Sequence, residues 1–209
     1  MAMGLMAVAF DFRDVAEDEF HDWYDTEHLP ERKRLDGFLS LQRWVSAEDP
    51  SIAIATYDLR TPEVLESSAY KAISGENLSP WSKRVTAKCR RILRFQGEQI
   101  GSDAVAPLDA AALLLVGMNV EPESEDEFNR WYSDEHLPAL SALPGVLCAR
   151  RFRASLSPVK YLTLYHMSSN EVCNCADWRK AVDTPWTRRM HAKTHDRLRI
   201  ACNAYQRKA

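Results

Sequence analysis

The chain of 209 residues has no uninterrupted apolar run approaching the ~20 residues that cross a bilayer, so a helical membrane span is excluded. Met1 to Phe10 is apolar but lacks a basic start and leads straight into acidic sequence, which reads as a strand and not as a signal peptide. The cytoplasm is therefore the expected compartment, without a membrane partner. No basic stripe is present to track phosphates, and nucleic acid is not expected as a partner. Phosphate-cradling glycine loops, nucleophile elbows and nucleotide fingerprints are also missing. Cysteine is sparse and odd in number: Cys89, Cys148, Cys173, Cys175 and Cys202 read as reduced thiols, not as a disulfide framework. No metal site is expected.

What the chain does have is one string twice. Asp18-Glu-Phe-His-Asp-Trp-Tyr-Asp-Thr-Glu-His-Leu-Pro30 returns as Asp126-Glu-Phe-Asn-Arg-Trp-Tyr-Ser-Asp-Glu-His-Leu-Pro138, and 131 − 23 = 108 for Trp131 against Trp23. Gly37 and Gly145, Arg43 and Arg151, and Tyr57 and Tyr165 keep the same offset, while Pro80-Trp81 matches Pro185-Trp186 at 105. Two units are implied, residues 1–99 and 108–209, joined through a linker that starts at Gly97 and ends at Pro107. A unit of that size buries little of its surface alone, so the two are expected to complete one another's core. The first carries excess acid and the second excess base, which favours their association.

Hydrophobic periodicity gives the same order in each unit: strand, helix, strand, strand, helix, strand. Strands are expected over 7–12, 38–45, 52–59 and within 90–96, then over 113–120, 145–152, 161–167 and 197–205. Asp14 is the expected N-cap of the first string's helix, and Pro30 marks that helix's end or the start of a further turn. Thr61-Pro62 should open a helix carrying Val64, Leu65, Ala69 and Ile73 at helical spacing, and a helix is expected near 176–182. The fold class is α+β: two split-βαβ, ferredoxin-like units whose sheets cover each other.

These residues resemble the EthD-like branch of the dimeric α/β-barrel superfamily, in which a helix ends in Trp-Tyr-x-x-Glu-His-Leu-Pro. Both strings carry that pattern. The resemblance implies an intrachain pseudo-dimer, with further homo-oligomerisation left open. It also implies a pocket for a small organic molecule. Relatives in the superfamily include cofactor-free monooxygenases, cyclases, dehydratases, isomerases and haem proteins, so the fold alone does not choose a reaction.

The candidate catalytic residues are His28 and His136, each with a tyrosine four residues earlier on the same helical face, Tyr24 and Tyr132. In a last helical turn the dipole favours a charged imidazole and burial opposes it, which poises the group near neutral pH. The competing reading makes His-Leu-Pro a helix stop with Trp and Tyr in the core. Candidate substrate-binding residues are Trp23, Trp131, Arg43, Arg151, Tyr57, Tyr165 and His166. Either Arg43 and Arg151 anchor an anionic oxygen, or they pair with Glu27 and Glu135. His191 and His195 are four apart if helical but sit among arginines and read as a solvated face. Asp11 is a secondary acid/base candidate.

The expected activity is a cofactor-independent lyase or isomerase of the dehydratase or cyclase type, moving a proton on an aromatic or polyketide-like substrate. A cofactor-free monooxygenase of an activated phenol is the alternative, and a non-catalytic, haem-binding barrel is a third. Charge and histidine content differ between the halves, so one copy is expected to catalyse while the other braces.

Overall fold

In the computed structural model, which describes residues 2–207, eight strands and eight α-helical segments divide between two compact units. Residues 1, 208 and 209, the outer ends of the expected segments, lie outside the described residues. Of the described residues, 2–98 with 155–158 and 205–207 make the first unit, and 99–154 with 159–204 make the second.

In the first unit β1 (Gly4–Asp11), β2 (Phe38–Ser46), β3 (Ile52–Leu59) and β4 (Arg90–Ile100) form an antiparallel sheet. Its order is β4-β1-β3-β2. All eight residues of β1 are buried, as a central strand with both faces covered should be. Met6, Val8 and Phe10 on one face join Phe20, Trp23 and Tyr24 of the helical layer in a single apolar core. β4 runs on through Gly97, where the sequence predicts its end, because Gly97 pairs with Leu5 and keeps the ladder going. The second unit repeats the arrangement with β5 (Ala112–Val120), β6 (Val146–Leu156), β7 (Tyr161–Met167) and β8 (Thr194–Ala204), in the order β8-β5-β7-β6.

The duplicated string is helical in both units. In the first, α1 (Glu17–Trp23) passes into a π-helical turn (Tyr24–His28) and then α2 (Leu29–Lys33), with Pro30 in the opening turn of α2. In the second, α5 (Glu125–Trp131), a π turn (Tyr132–His136) and α6 (Leu137–Ser141) follow suit. The Leu29 N–H donates to the Tyr24 carbonyl, and the Leu137 N–H to the Tyr132 carbonyl, the five-residue step of a π turn. The helix therefore does not stop at His28. Ala16 is its N-cap in place of Asp14, with no side-chain cap.

The helix expected from Pro62 breaks in two. A 3₁₀ turn (Pro62–Glu66) precedes the short α3 (Ser68–Lys71), because the extended Ser67 turns its hydroxyl to accept from the Tyr70 N–H. Ser79 caps α4 (Pro80–Lys88), and Thr184 caps α8 (Pro185–His191), which follows α7 (Ala176–Val182). Trp81 and Trp186 pack against the two cores. Gly37 and Gly145 have φ of +90° and +87°, so only glycine meets both turns without strain. Among the described residues no helix is long and apolar enough to cross a membrane.

Candidate functional site

Half of the repeated string is a brace. The Trp23 indole donates to Ser82 Oγ (2.9 Å), and the Ser82 and Ser79 hydroxyls both donate to Glu27 Oε1 (2.9 and 2.5 Å). The second unit rebuilds this with threonines: Trp131 donates to Thr187 Oγ1 (3.2 Å) and Thr184 to Glu135 Oε1 (2.6 Å). Each network ties the string to the helix that begins at Pro80 or Pro185. Trp23 and Trp131 are wholly buried in the cores and line neither of the two cavities described below. The alternative reading of Arg43 and Arg151, as ion-pair partners of Glu27 and Glu135, is not met among the described residues.

Arg43 instead donates to Asp25 Oδ1 (2.6 Å), meets His21 Nδ1 (2.6 Å) and lies over the rings of Tyr24 and Tyr205 at 4.5 and 4.0 Å. Burial, then Arg43, lowers the His21 pKa to about 4. Asp11 accepts from Arg13 and Arg90, and those bonds hold its carboxyl at about 2 despite burial, which removes it as an acid near neutral pH. His191 ends α8 while His195 lies on β8 against Asp196, so the two are not a helical pair.

His28 is different. Its ring packs on Trp23 (centroids 4.4 Å apart) and edge-on to Tyr24 (5.0 Å), and it forms part of the wall of a cavity of about 870 Å³ in the first unit. Met6, Val8, Phe10 and Tyr57 supply the sheet side; Arg32, Tyr70 and Lys83 come from the helical layer, and Arg94 from β4. Burial, then the charges of Arg32 and Arg43, pushes the His28 pKa well below 6.5, so the imidazole is neutral; its Nδ1 is buried without a partner. The continuing helix removes the dipole argument for a charged ring. Arg32 is itself buried, donating to the His28 and Ile73 carbonyls and to Glu31, with Nε left unpaired. The Tyr57 hydroxyl is buried, and desolvation keeps it protonated. Arg94 donates to Tyr70 Oη at 3.2 Å. The Cys89 thiol on the same wall is raised to about 11 by burial and stays neutral.

The second unit brings its equivalents together without that opening. His136 packs on Trp131 (4.3 Å) and Tyr132 (5.0 Å), with a pKa near 3 from burial, His191 and Arg151. Leu140 stands where Arg32 does, and Trp178 where Tyr70 does; Trp178 packs edge-on against Tyr165 at 5.2 Å. A separate cavity of about 570 Å³ is lined by Tyr132, Arg151 and Tyr161, not by His136. The Tyr165 hydroxyl is buried in the core, and His166 points to the opposite face of β7, with burial and Arg150 lowering it to about 3. Sequence reading missed Arg32, Tyr70 and Arg94. The mismatches Arg32/Leu140 and Tyr70/Trp178 at the 108 offset were the available signal.

No protein-family model matches the chain, and no curated protein matches it. Solved structures do. An anthrone oxidase-like protein aligns over 97% of this chain and 92% of its own, with a TM-score of 0.68 and 14% identity. A candidate monooxygenase from Fusobacterium nucleatum aligns over 98% and 93% (TM-score 0.64, 10% identity). A chlorite dismutase variant from Candidatus Nitrospira defluvii, solved with cyanide, aligns over 98% and 91% (0.63, 12%). These neighbours are dimeric α/β-barrel proteins. The chain shares their α+β fold, and identities this low show the fold alone.

Proposed function

We propose that the chain is a tandem, fused version of such a barrel protein, with two ferredoxin-like units of the EthD-like kind. Its first unit would act without a cofactor on a small, planar, weakly acidic molecule, an activated phenol or an anthrone-like ketone. The observation that carries this reading is the position of His28: a neutral imidazole on a cavity wall, beside the buried cation Arg32. A neutral ring can take a proton at pH 7, and the guanidinium would hold the anion that results. A pKa far below 6.5 also makes His28 a weak base, so the substrate must itself be acidified by conjugation. Tyr57, kept protonated, would hydrogen-bond the developing oxyanion.

Once the anion has formed, its carbon would give an electron pair to O₂. The hydroperoxide, after taking up a proton, would lose water to leave a carbonyl; one O₂ is consumed and one water released per turnover. The anthrone oxidase-like and candidate monooxygenase neighbours support this second step. The same proton transfer without oxygen would serve a dehydratase, cyclase or isomerase, and the Arg94–Tyr70 pair on the wall could return the proton. Incubating the purified protein with anthrone and activated phenols, in air and under anaerobic conditions, separates the two. Turnover with one O₂ consumed per product is expected. Equal turnover without oxygen would replace oxygenation by the lyase or isomerase reading.

A further inference from the structure

The cavity of the second unit is lined by a buried cation that the reaction proposed at His28 does not use. Arg151 is 5% exposed, and Phe128, Tyr132 and Tyr161 surround its guanidinium at 5.0, 4.1 and 4.5 Å. Its one hydrogen bond is from Nη2 to Asn129 Oδ1 (2.9 Å), Nε is buried without a partner, and Arg151 has no ion pair among the described residues. Glu125, the carboxylate that acts on it electrostatically, is taken by Lys160 and the Tyr161 hydroxyl. Burial lowers the Arg151 pKa, the mark of a charge without full compensation.

Arg43, its equivalent, shows what compensation looks like. Asp25 neutralises it and His21 faces it, and at those two positions the second unit has Ser133 and Asn129. Replacing a carboxylate by serine leaves a cation and an opening: Ser133 lines the same cavity of about 570 Å³. Leu137 and Ala149 give the cavity apolar wall. Gln99 fixes its rim by donating to the Ser102 and Ala104 carbonyls (2.8 and 2.9 Å).

We infer that this cavity binds a small organic carboxylate, whose anionic head takes the place beside Arg151 that Asp25 fills beside Arg43, with its apolar body against Leu137 and Ala149. A planar guanidinium fork suits a carboxylate, and aromatic faces on the cation suit a flat body. The site is independent of the reaction proposed at His28.

Isothermal titration of the full chain with benzoate, and with benzamide as the neutral isostere, tests this. Benzoate should bind saturably and benzamide should not. Ser133→Asp, which supplies an internal carboxylate, should weaken benzoate about tenfold or more, and Arg151→Gln should do the same. If Arg151→Gln does not fold, Ser133→Asp decides. Absence of saturable benzoate binding, equal binding of benzamide, or benzoate binding unchanged in Ser133→Asp but lost in Lys83→Gln would each overturn the assignment.

Discussion

Arg32 and Tyr70 in the first unit stand where Leu140 and Trp178 stand in the second, and around these pairs the same helical string serves two ends. In both units the Trp indole, a Ser or Thr pair and the Glu carboxylate brace the string. In both, the histidine packs on that tryptophan across a π turn. In the first the ring faces a cavity with charged walls; in the second His136 lines neither of the two cavities described, and Leu140 and Trp178 stand where Arg32 and Tyr70 do. The arginines reverse the contrast, since Arg43 is neutralised internally and Arg151 is not. A duplicated motif thus reports a shared framework, and the residues that differ at the repeat offset report the chemistry.

The shared brace is the first part to break. Trp23→Ala and Trp131→Ala should each cost about 3–5 kcal/mol in denaturant unfolding, because both indoles are fully buried and hydrogen-bonded. A small loss at one of them would mean that the units are not equivalent in framework. Next comes the arginine contrast. Asp25→Asn should destabilise by about 2 kcal/mol by leaving Arg43 buried without its counter-charge, whereas Ser133→Asp should stabilise by about 1 kcal/mol.

His21, His28, His136 and His166 all have folded pKa values below 6.5, so below that pH the unfolded chain binds more protons and stability falls with acid. Each contributes a slope of about 1.4 kcal/mol per pH unit between 6.5 and its folded value. His28→Gln and His136→Gln should each reduce the slope, measured as the urea midpoint against pH, by one histidine. An unchanged slope would place that ring in water. A comparably small effect, about 1 kcal/mol each, is expected at Glu27→Gln and Glu135→Gln, since an amide can still accept from Ser82 or Thr184.

Strand positions were largely legible because short apolar runs bounded by turn residues mark them even where, as in β1 and β7, every residue is buried; β3 and β7 begin and end where the hydrophobic pattern does. The π turn was not, since a five-residue bond leaves no trace in residue type and Pro30 suits a helix start as well as a stop. Partners of Arg43 and Arg151 were also hidden: acceptors on the same helix compete, and geometry selects Asp25 and Asn129 over Glu27 and Glu135. His28 and Tyr24 were legible as a pair, but not that His28 lines a cavity while Tyr24 stays in the core, because the cavity depends on Arg32 and Tyr70, which carry no motif.

If only the first string carries chemistry, His28 and His136 separate in a single assay. Oxygen uptake with an anthrone or activated phenol should be compared among the wild type, His28→Gln and His136→Gln, each shown to be folded. His28→Gln should lose about a hundredfold or more in kcat, His136→Gln should change little, and the wild-type pH profile should show an acidic limb well below 6.5. Equal loss in both variants, or full activity in His28→Gln, would contradict chemistry confined to the first string.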